Sequence, residues 1–271
     1  MMIELYVIAH KEVFIPDSAA LIPINPDNAT GDNIAEKPGY SELRAHYHVW
    51  KNGLPETDFV GFFQFRRYLD LTSAVFTDLG SEKRPLPYRI KKFPMAKSYS
   101  EEVLEVLGRY DVIAPMREFT GISVWKRYAA AQGHRVSDLQ LAYEIISKKY
   151  PEYLTAANNY LNGTGEYYGN IYIMRRDVFK NYCAWLFDIL GEYDSRAENI
   201  PPRTQGFLAE RLFGIWFRKT YSSGSLHCAE LPRLHFWGYD DETHHLRKDK
   251  LINALLPPGT QLRSVIHKLA K

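Results

Sequence analysis

Cysteine is nearly absent: only Cys183 and Cys228 occur in 271 residues, and they stand in no metal-ligand or redox spacing. That rules against a disulfide framework and a structural zinc site, and fits a reducing compartment. Long hydrophobic runs are missing too, and no stretch reaches the roughly 20 apolar residues a membrane span needs. Residues 1–10 lack the basic segment and cleavage site of a signal peptide, and their short apolar run reads as a strand. The expected location is therefore cytoplasmic, with any membrane contact made from the surface. Charge of one sign is not in excess: the formal net charge is +2, and the bases are not interleaved with aromatics along a stripe, so nucleic acid is not an expected partner. Internal repeats and low-complexity segments are also lacking.

What is present suffices for a full core. Hydrophobic residues make up 45% of the chain, enough for one large domain. Residues 3–9 and 58–65 read as strands, with a Pro- and Asn-rich loop and a helix over about 41–51 between them. Strand, helix, strand in that order predicts a right-handed crossover and a parallel pair. A third strand is expected at 111–115 and a strand-like run at 168–174. Capping-box spacings at Ser98/Glu101 and Ser137/Gln140 each predict a helix start, the second helix reaching about 149 and continuing to about 161 with a break near Pro151. Further helices are expected over 177–190 and from about 205 to 218. Residues 72–97 hold three prolines and six bases and read as an exposed loop. The expected fold is α/β: a single domain over residues 1–243 with a mostly parallel central sheet flanked by helices. A basic tail over 244–271 follows, with Leu262, Val265, Ile266 and Leu269 at helical spacing.

The most informative feature is the run of residues 59–65, apolar except for Gln64, which ends in Arg66, Arg67 and Tyr68. It delivers two fixed cations to the carboxyl end of a buried strand, where open α/β sheets bind ligands. Desolvated guanidinium groups need an anion, and phosphate or carboxylate suits their planar fork. Alternation along a strand admits only one of the two arginines to a site, unless the strand has already ended. The plain alternative is one structural ion pair and one solvated arginine. Thr30, Gly31, Asp32 and Asn33, with His10 and Lys11 after the first strand, join Arg66, Arg67 and Tyr68 in the outline of a nucleotide pocket, although a Gly-Asp-Asn turn is also ordinary turn chemistry. Glu210 lies in a segment apolar on nearly every side, so it needs a partner or a task. Neighbouring Arg211 does not face it on a helix, which leaves a more distant base such as Arg203 as its expected partner. Partial burial would suit Glu210 to work as a general base.

Tyr168, Asn170 and Tyr172 alternate along the run at 168–174, and His235 and Trp237 add a stacking surface; either group suits a sugar acceptor. His46 and His48 share no helix face and are not a metal pair. Asp240, Asp241, His244 and His245 read as a solvated polar turn. The spacing Asp-x-Asp, which commonly presents a divalent cation to a nucleotide-sugar diphosphate, occurs nowhere. Neither a metal nor another cofactor is expected.

At Thr30 to Ile34, Tyr40 to Leu43 with Trp50 to Asn52, Arg66 to Tyr68, Asp111 to Pro115 and Gly206 to Leu212, the chain resembles a bacterial family. That family is associated with capsule, exopolysaccharide and O-antigen assembly, was formerly of unknown function, and includes galactofuranosyltransferases. It often has histidine where this chain has Gln64, and methionine where it has Ile171. The resemblance implies a GT-A-like glycosyltransferase that takes a nucleotide sugar, with UDP-galactofuranose the donor it suggests, and works without the Asp-x-Asp metal site. Arg66 and Arg67 would then stabilise the leaving diphosphate, with Glu210 or Asp32 deprotonating an acceptor that is a glycan or lipid-linked glycan. The basic loop at 83–97 and the basic tail could rest on an anionic membrane. A non-catalytic glycan- or nucleotide-binding protein is the competing expectation.

Overall fold

A computed structural model describes residues 2–10, 21–54, 56–71, 88–90 and 107–236. Lys11, Trp237, the Ser98/Glu101 spacing, most of the basic loop and the whole basic tail lie outside them.

The central sheet begins with β1 (Ile3–Ile8), which pairs in parallel with β2 (Leu21–Ile24) and with β3 (Phe59–Gln64). Beyond β3 come β9 (Tyr172–Arg175), antiparallel to it, then β6 (Val112–Pro115) and β10 (Cys228–Leu231), which are parallel to each other. In this six-stranded core only β9 runs against the rest. A short extension, β4 (Arg67–Leu69), leaves β3 through a tight turn and pairs with β11 (Arg233–Phe236), which pairs with β5 (Tyr88–Ile90). A separate ribbon joins β7 (Glu118–Phe119) to β8 (Gly165–Glu166). Among the described residues the helices include α1 (Leu43–Asn52), α2 (Val124–Ala130), α3 (Val136–Lys149), α4 (Leu154–Asn162), α5 (Arg176–Arg196) and α6 (Thr204–Ser223). This is the α/β architecture with a mostly parallel, helix-flanked sheet expected from the sequence.

Side-chain alternation explains how one sheet serves two cores. Tyr6 and Ile8 of β1, Val60 and Phe62 of β3, and Tyr172 and Met174 of β9 face the larger, helix-covered core. Leu5, Val7, Phe59, Phe63 and Ile173 face the other. Gly61 in mid-β3 is where neighbouring strands crowd closest, since an added Cβ would sit 2.6 Å from Leu5 and 2.9 Å from Ile173. Parallel strands buried on both faces carry near-continuous apolar runs, which is why β1 and β3 were readable.

Three local expectations are corrected. The loop after β1 contains β2, whose four residues include Pro23, tolerable only because β2 is an edge strand. The run at 168–174 is strand only from Tyr172, because Gly169 (φ +90°) and Asn170 (φ +50°) turn the backbone left-handed before it. Ser137 does not cap α3. The helix starts at Val136 after Arg135, whose guanidinium holds Asp138 at 2.9 and 2.5 Å.

α6 packs against α4 at Gly214, where an added Cβ would stand 2.0 Å from the Tyr160 ring. Tyr160 is buried, stacks on Tyr167 and accepts its N–H, so it has nowhere to swing. Gly214→Ala is expected to destabilise the fold by about 1–3 kcal/mol through overpacking, outweighing the roughly 1 kcal/mol that alanine gains in helix propensity. Urea unfolding at unchanged midpoint would contradict this packing.

Candidate active site

The turn from β3 into β4 settles the geometry of the arginine pair. β3 ends at Gln64, so strand alternation no longer governs Arg66 and Arg67. Arg66 lies over the Phe65 ring at 5.0 Å. Arg67 folds back so that its Nη1 donates to Gln64 Oε1 at 2.6 Å. Among the described residues no carboxylate lies within ion-pair distance of Arg67. Burial and the nearby Arg233 pull its pKa down, whereas Glu210 and Glu42 pull it up. A guanidinium still keeps its proton at any ordinary pH. Tyr68, expected to contact a nucleotide, is fully buried against Phe63 and its hydroxyl donates to the Phe65 carbonyl at 3.4 Å. It braces the turn.

Two carboxylates face this arginine. Glu210 on α6 accepts the Gly169 N–H at 2.6 Å and an Arg211 Nη1 bond at 2.7 Å, with 16% of its side chain exposed. The expected pairing with Arg203 is therefore corrected: Arg203 stacks over Phe207 at 5.4 Å, and Arg211 is long enough to reach sideways to its neighbour. Arg211 also lies 3.8 Å from Glu166 and over the rings of Tyr128 and Tyr168. Burial pushes the Glu210 carboxyl above the ordinary carboxylate range. Arg211 opposes that shift, Glu42 adds to it, and the Gly169 N–H and Arg67 oppose it.

Glu42, which the sequence reading passed over, is the second carboxylate. It occupies the cap position of α1 without capping it; its side chain instead turns inward, and the residue is 8% exposed. Oε1 accepts from Asn170 Nδ2 at 2.9 Å and Gln64 Nε2 at 3.3 Å. The left-handed pair Gly169 and Asn170 makes this possible, because it aims the Asn170 amide at Glu42, the Gly169 N–H at Glu210 and the Gly169 carbonyl at Gln64 Nε2, 2.8 Å away.

Of the residues expected to hold an acceptor, Tyr168 donates to Glu166 and is flanked by Arg211 and Arg233 at 5.9 and 6.0 Å. Asn170 is buried in the network just described. His235 is in register with Arg67 across β11 and β4, so it too is brought to the cluster. Tyr172, in contrast, is core: its hydroxyl meets buried His46 Nδ1 at 2.6 Å. Burial drives the His46 pKa down to about 3, so it stays neutral.

The Thr30 to Asn33 loop goes elsewhere. The Asp32 N–H donates to Asn52 Oδ1 at 2.9 Å and the Asp32 carbonyl accepts from Asn52 Nδ2 at 2.5 Å, which pins the loop to the last residue of α1. Gly31 (φ +77°) must be glycine there, since a Cβ would meet Asn52 at 2.4 Å. Asn33 closes the turn by donating to the Gly31 carbonyl and accepting from Ala35. Thr30 is exposed beside it. Ten residues of helix, roughly 15 Å, separate this loop from Glu42 and the arginines at the other end of α1. Asp32 and Glu210 are therefore not brought together. His10 lies nearer, in a cluster where Arg44 bonds Asp27 at 2.7 Å and His10 Nδ1 sits 3.2 Å from the same carboxylate. Burial raises the Asp27 pKa, but the bonds from His10 and Arg44 outweigh it and hold the carboxyl below its usual range.

A cavity of about 590 Å³ adjoins the cluster, lined by Lys37, Tyr40, Asp194, Pro201, Arg203 and Gln205. Next to Gln205 of its lining, a Cβ added at Gly206 would stand 3.2 Å from Ser41 and 4.0 Å from Glu42 Oε2. Among the described residues no three His, Cys, Asp or Glu side chains converge as metal ligands.

The profile of a family described as a domain of unknown function, DUF4422, matches residues 4–221. No curated protein sequence matches. Among solved structures, the chain is similar to one described as the apo structure of the bifunctional glycosyltransferase WbbM, with 27% identity and a TM-score of 0.75. That likeness covers 90% of this chain and 48% of the other, so the chain spans about half the length of WbbM. The profile takes in β1, β3, the arginine turn and Glu210 alike, and the chain belongs to the DUF4422 family.

Proposed function

We propose that the protein is a glycosyltransferase that moves a sugar from a UDP-sugar, with UDP-galactofuranose the leading candidate, to a growing cell-surface glycan or lipid-linked glycan. The observation that carries this reading is Arg67: a half-buried cation at the carboxyl edge of the sheet, held by a neutral amide and met by no described carboxylate. A desolvated guanidinium in that state is matched to an anion, and a diphosphate suits its fork. The likeness to a glycosyltransferase structure supports the same class.

In this reaction the acceptor hydroxyl oxygen attacks the anomeric carbon while the bond from that carbon to the β-phosphate oxygen breaks. The nucleoside diphosphate leaves with one more negative charge, which Arg67 meets, with Arg66 at the mouth of the turn. Glu210 takes the hydroxyl proton. Of the two bases expected from the sequence, Glu210 is preferred over Asp32, which stands at the far end of α1. Tyr168, His235 and the adjoining cavity are the proposed acceptor side. Fixed guanidinium charge takes the place of a divalent cation, so transfer is expected to survive a chelator.

Glu210 works as a base only when ionised, so its raised pKa moves the acidic limb of kcat/KM above the ordinary carboxylate range. Glu42 contributes to that shift through like-charge repulsion. Glu42→Gln keeps an acceptor for Asn170 and Gln64 but removes the charge, so the limb is expected to move to lower pH. A pH–rate profile that stays in place would detach Glu42 from the base.

One observation favours the alternative of a non-catalytic glycan- or nucleotide-binding protein: both Glu210 oxygens already accept hydrogen bonds. Each carboxylate oxygen keeps a second lone pair for a hydroxyl. Incubation with UDP-sugars and a synthetic acceptor, followed by mass spectrometry, separates the readings, because only an enzyme yields glycosylated product.

A further inference from the structure

We propose that Gln64 is a positioning residue that holds Arg67 off the two neighbouring carboxylates and so keeps its guanidinium ready for a diphosphate; this rests on the anion-binding reading of Arg67. Three charged groups meet here. Glu42 and Glu210 both stand within electrostatic reach of Arg67, yet neither forms an ion pair with it. Left alone, a flexible arginine would close on a buried carboxylate, since such contacts are among the strongest hydrogen bonds available to it. Gln64 stands between Arg67 and Glu42. Its Oε1 takes Arg67 Nη1 at 2.6 Å, while its Nε2 faces Glu42 Oε1 at 3.3 Å and the Gly169 carbonyl at 2.8 Å.

The orientation of that amide is determined by its surroundings. Both groups on its nitrogen side are acceptors only, and the group on its oxygen side is a donor only, so a flipped amide would face like with like at every contact. Glu42 and the Gly169 carbonyl thus lock the amide, and the lock fixes where Arg67 points. Gly169 and Asn170 hold the lock through their left-handed backbone, Asn170 by donating to Glu42 at 2.9 Å. Gln64 sits one turn from Arg67, in register with it across β3 and β4, so the spacer and the cation move as one piece. A neutral residue with an acceptor on one side and a donor on the other is required; a carboxylate in its place would itself capture Arg67.

The test is calorimetric titration of UDP, with uridine as the phosphate-free control, into the full chain and four variants: Gln64→Glu, Gln64→Leu, Arg67→Ala and the double variant Gln64→Leu/Arg67→Ala. Gln64→Glu is expected to weaken UDP binding roughly 10-fold or more, as loss of a charge-assisted hydrogen bond does, and to leave uridine affinity unchanged. Gln64→Leu should lie between it and the unmutated protein. The double variant should bind UDP no more weakly than Arg67→Ala, because both changes disable one group. UDP affinity unchanged in Gln64→Glu, equal losses for UDP and uridine, or losses that multiply in the double variant would each overturn the spacer role. Failure of the underlying reading looks different: Arg67→Ala itself would then bind UDP as tightly as the unmutated protein.

Discussion

Arg67→Ala is expected to lower the rate of sugar transfer on the order of 10²-fold or more, the usual cost of removing one preorganised group that meets charge developing in a transition state. Arg66→Ala should cost far less. The difference comes from their settings after β3 ends. Arg67 is half-buried, fixed by Gln64 and flanked by Arg233 and Arg203, so its charge acts in a partly desolvated place. Arg66 packs over Phe65 at 5.0 Å. The Gln64 bond preorganises Arg67, and a preorganised charge stabilises a leaving group more than one that must reorganise. Arg67→Lys should recover only part of the loss, because an ammonium keeps the charge but not the planar fork. Steady-state rates with UDP-sugar for the three variants measure this directly, and equal effects at Arg66 and Arg67 would contradict the assignment.

Glu210→Gln is the second large effect, an expected fall of roughly 10²–10⁴-fold in turnover, the range for a positioned general base. UDP affinity should stay near the unmutated value, since Glu210 contacts the acceptor hydroxyl in this scheme and not the nucleotide. Glutamine is chosen over alanine for a physical reason. Its Oε1 can still accept the Gly169 N–H, a bond that alanine would leave unmade, and in either variant Arg211 retains Glu166 at 3.8 Å. Full turnover in Glu210→Gln would reduce that carboxylate to one half of an ion pair with Arg211.

How much of this was legible before the structure depends on the distance over which each interaction acts along the chain. β1 and β3 declared themselves because strands buried on both faces must be apolar throughout, and the arginines stood out because they interrupt that pattern. α5 and α6 were readable from length and apolar density, although each runs further than its pattern suggested. β2 was not, since four residues with Pro23 carry too little periodicity against a Pro-rich background. The run at 168–174 misled because alternation of Tyr168, Asn170 and Tyr172 mimics a strand, while Gly169 was the signal that the backbone turns there.

Contacts between remote residues were the least legible. Glu42 reaches Asn170 across 128 positions and Gln64 across 22, and no local spacing announces either contact. Gln64 did carry a signal: it is the one polar side chain inside residues 59–65, and a buried amide must satisfy both of its ends. Asp32 shows the converse error. Chain order places its loop just after β1, but its hydrogen bonds to Asn52 tie it to the far end of α1. The Arg211–Glu210 pair was missed for a simpler reason, that the rule for helix faces describes Cβ directions and a guanidinium extends well beyond its Cβ.

The central claim is that an arginine held by a neutral amide replaces a metal in glycosyl transfer. The most direct measurement is the rate of product formation from UDP-galactofuranose and a synthetic glycan acceptor, in the presence of excess EDTA, for the unmutated protein and Arg67→Ala. Glycosylated product at an undiminished rate in EDTA, lost with Arg67→Ala, is the expected result; saturable UDP binding without product, or product that vanishes on chelation, would contradict it.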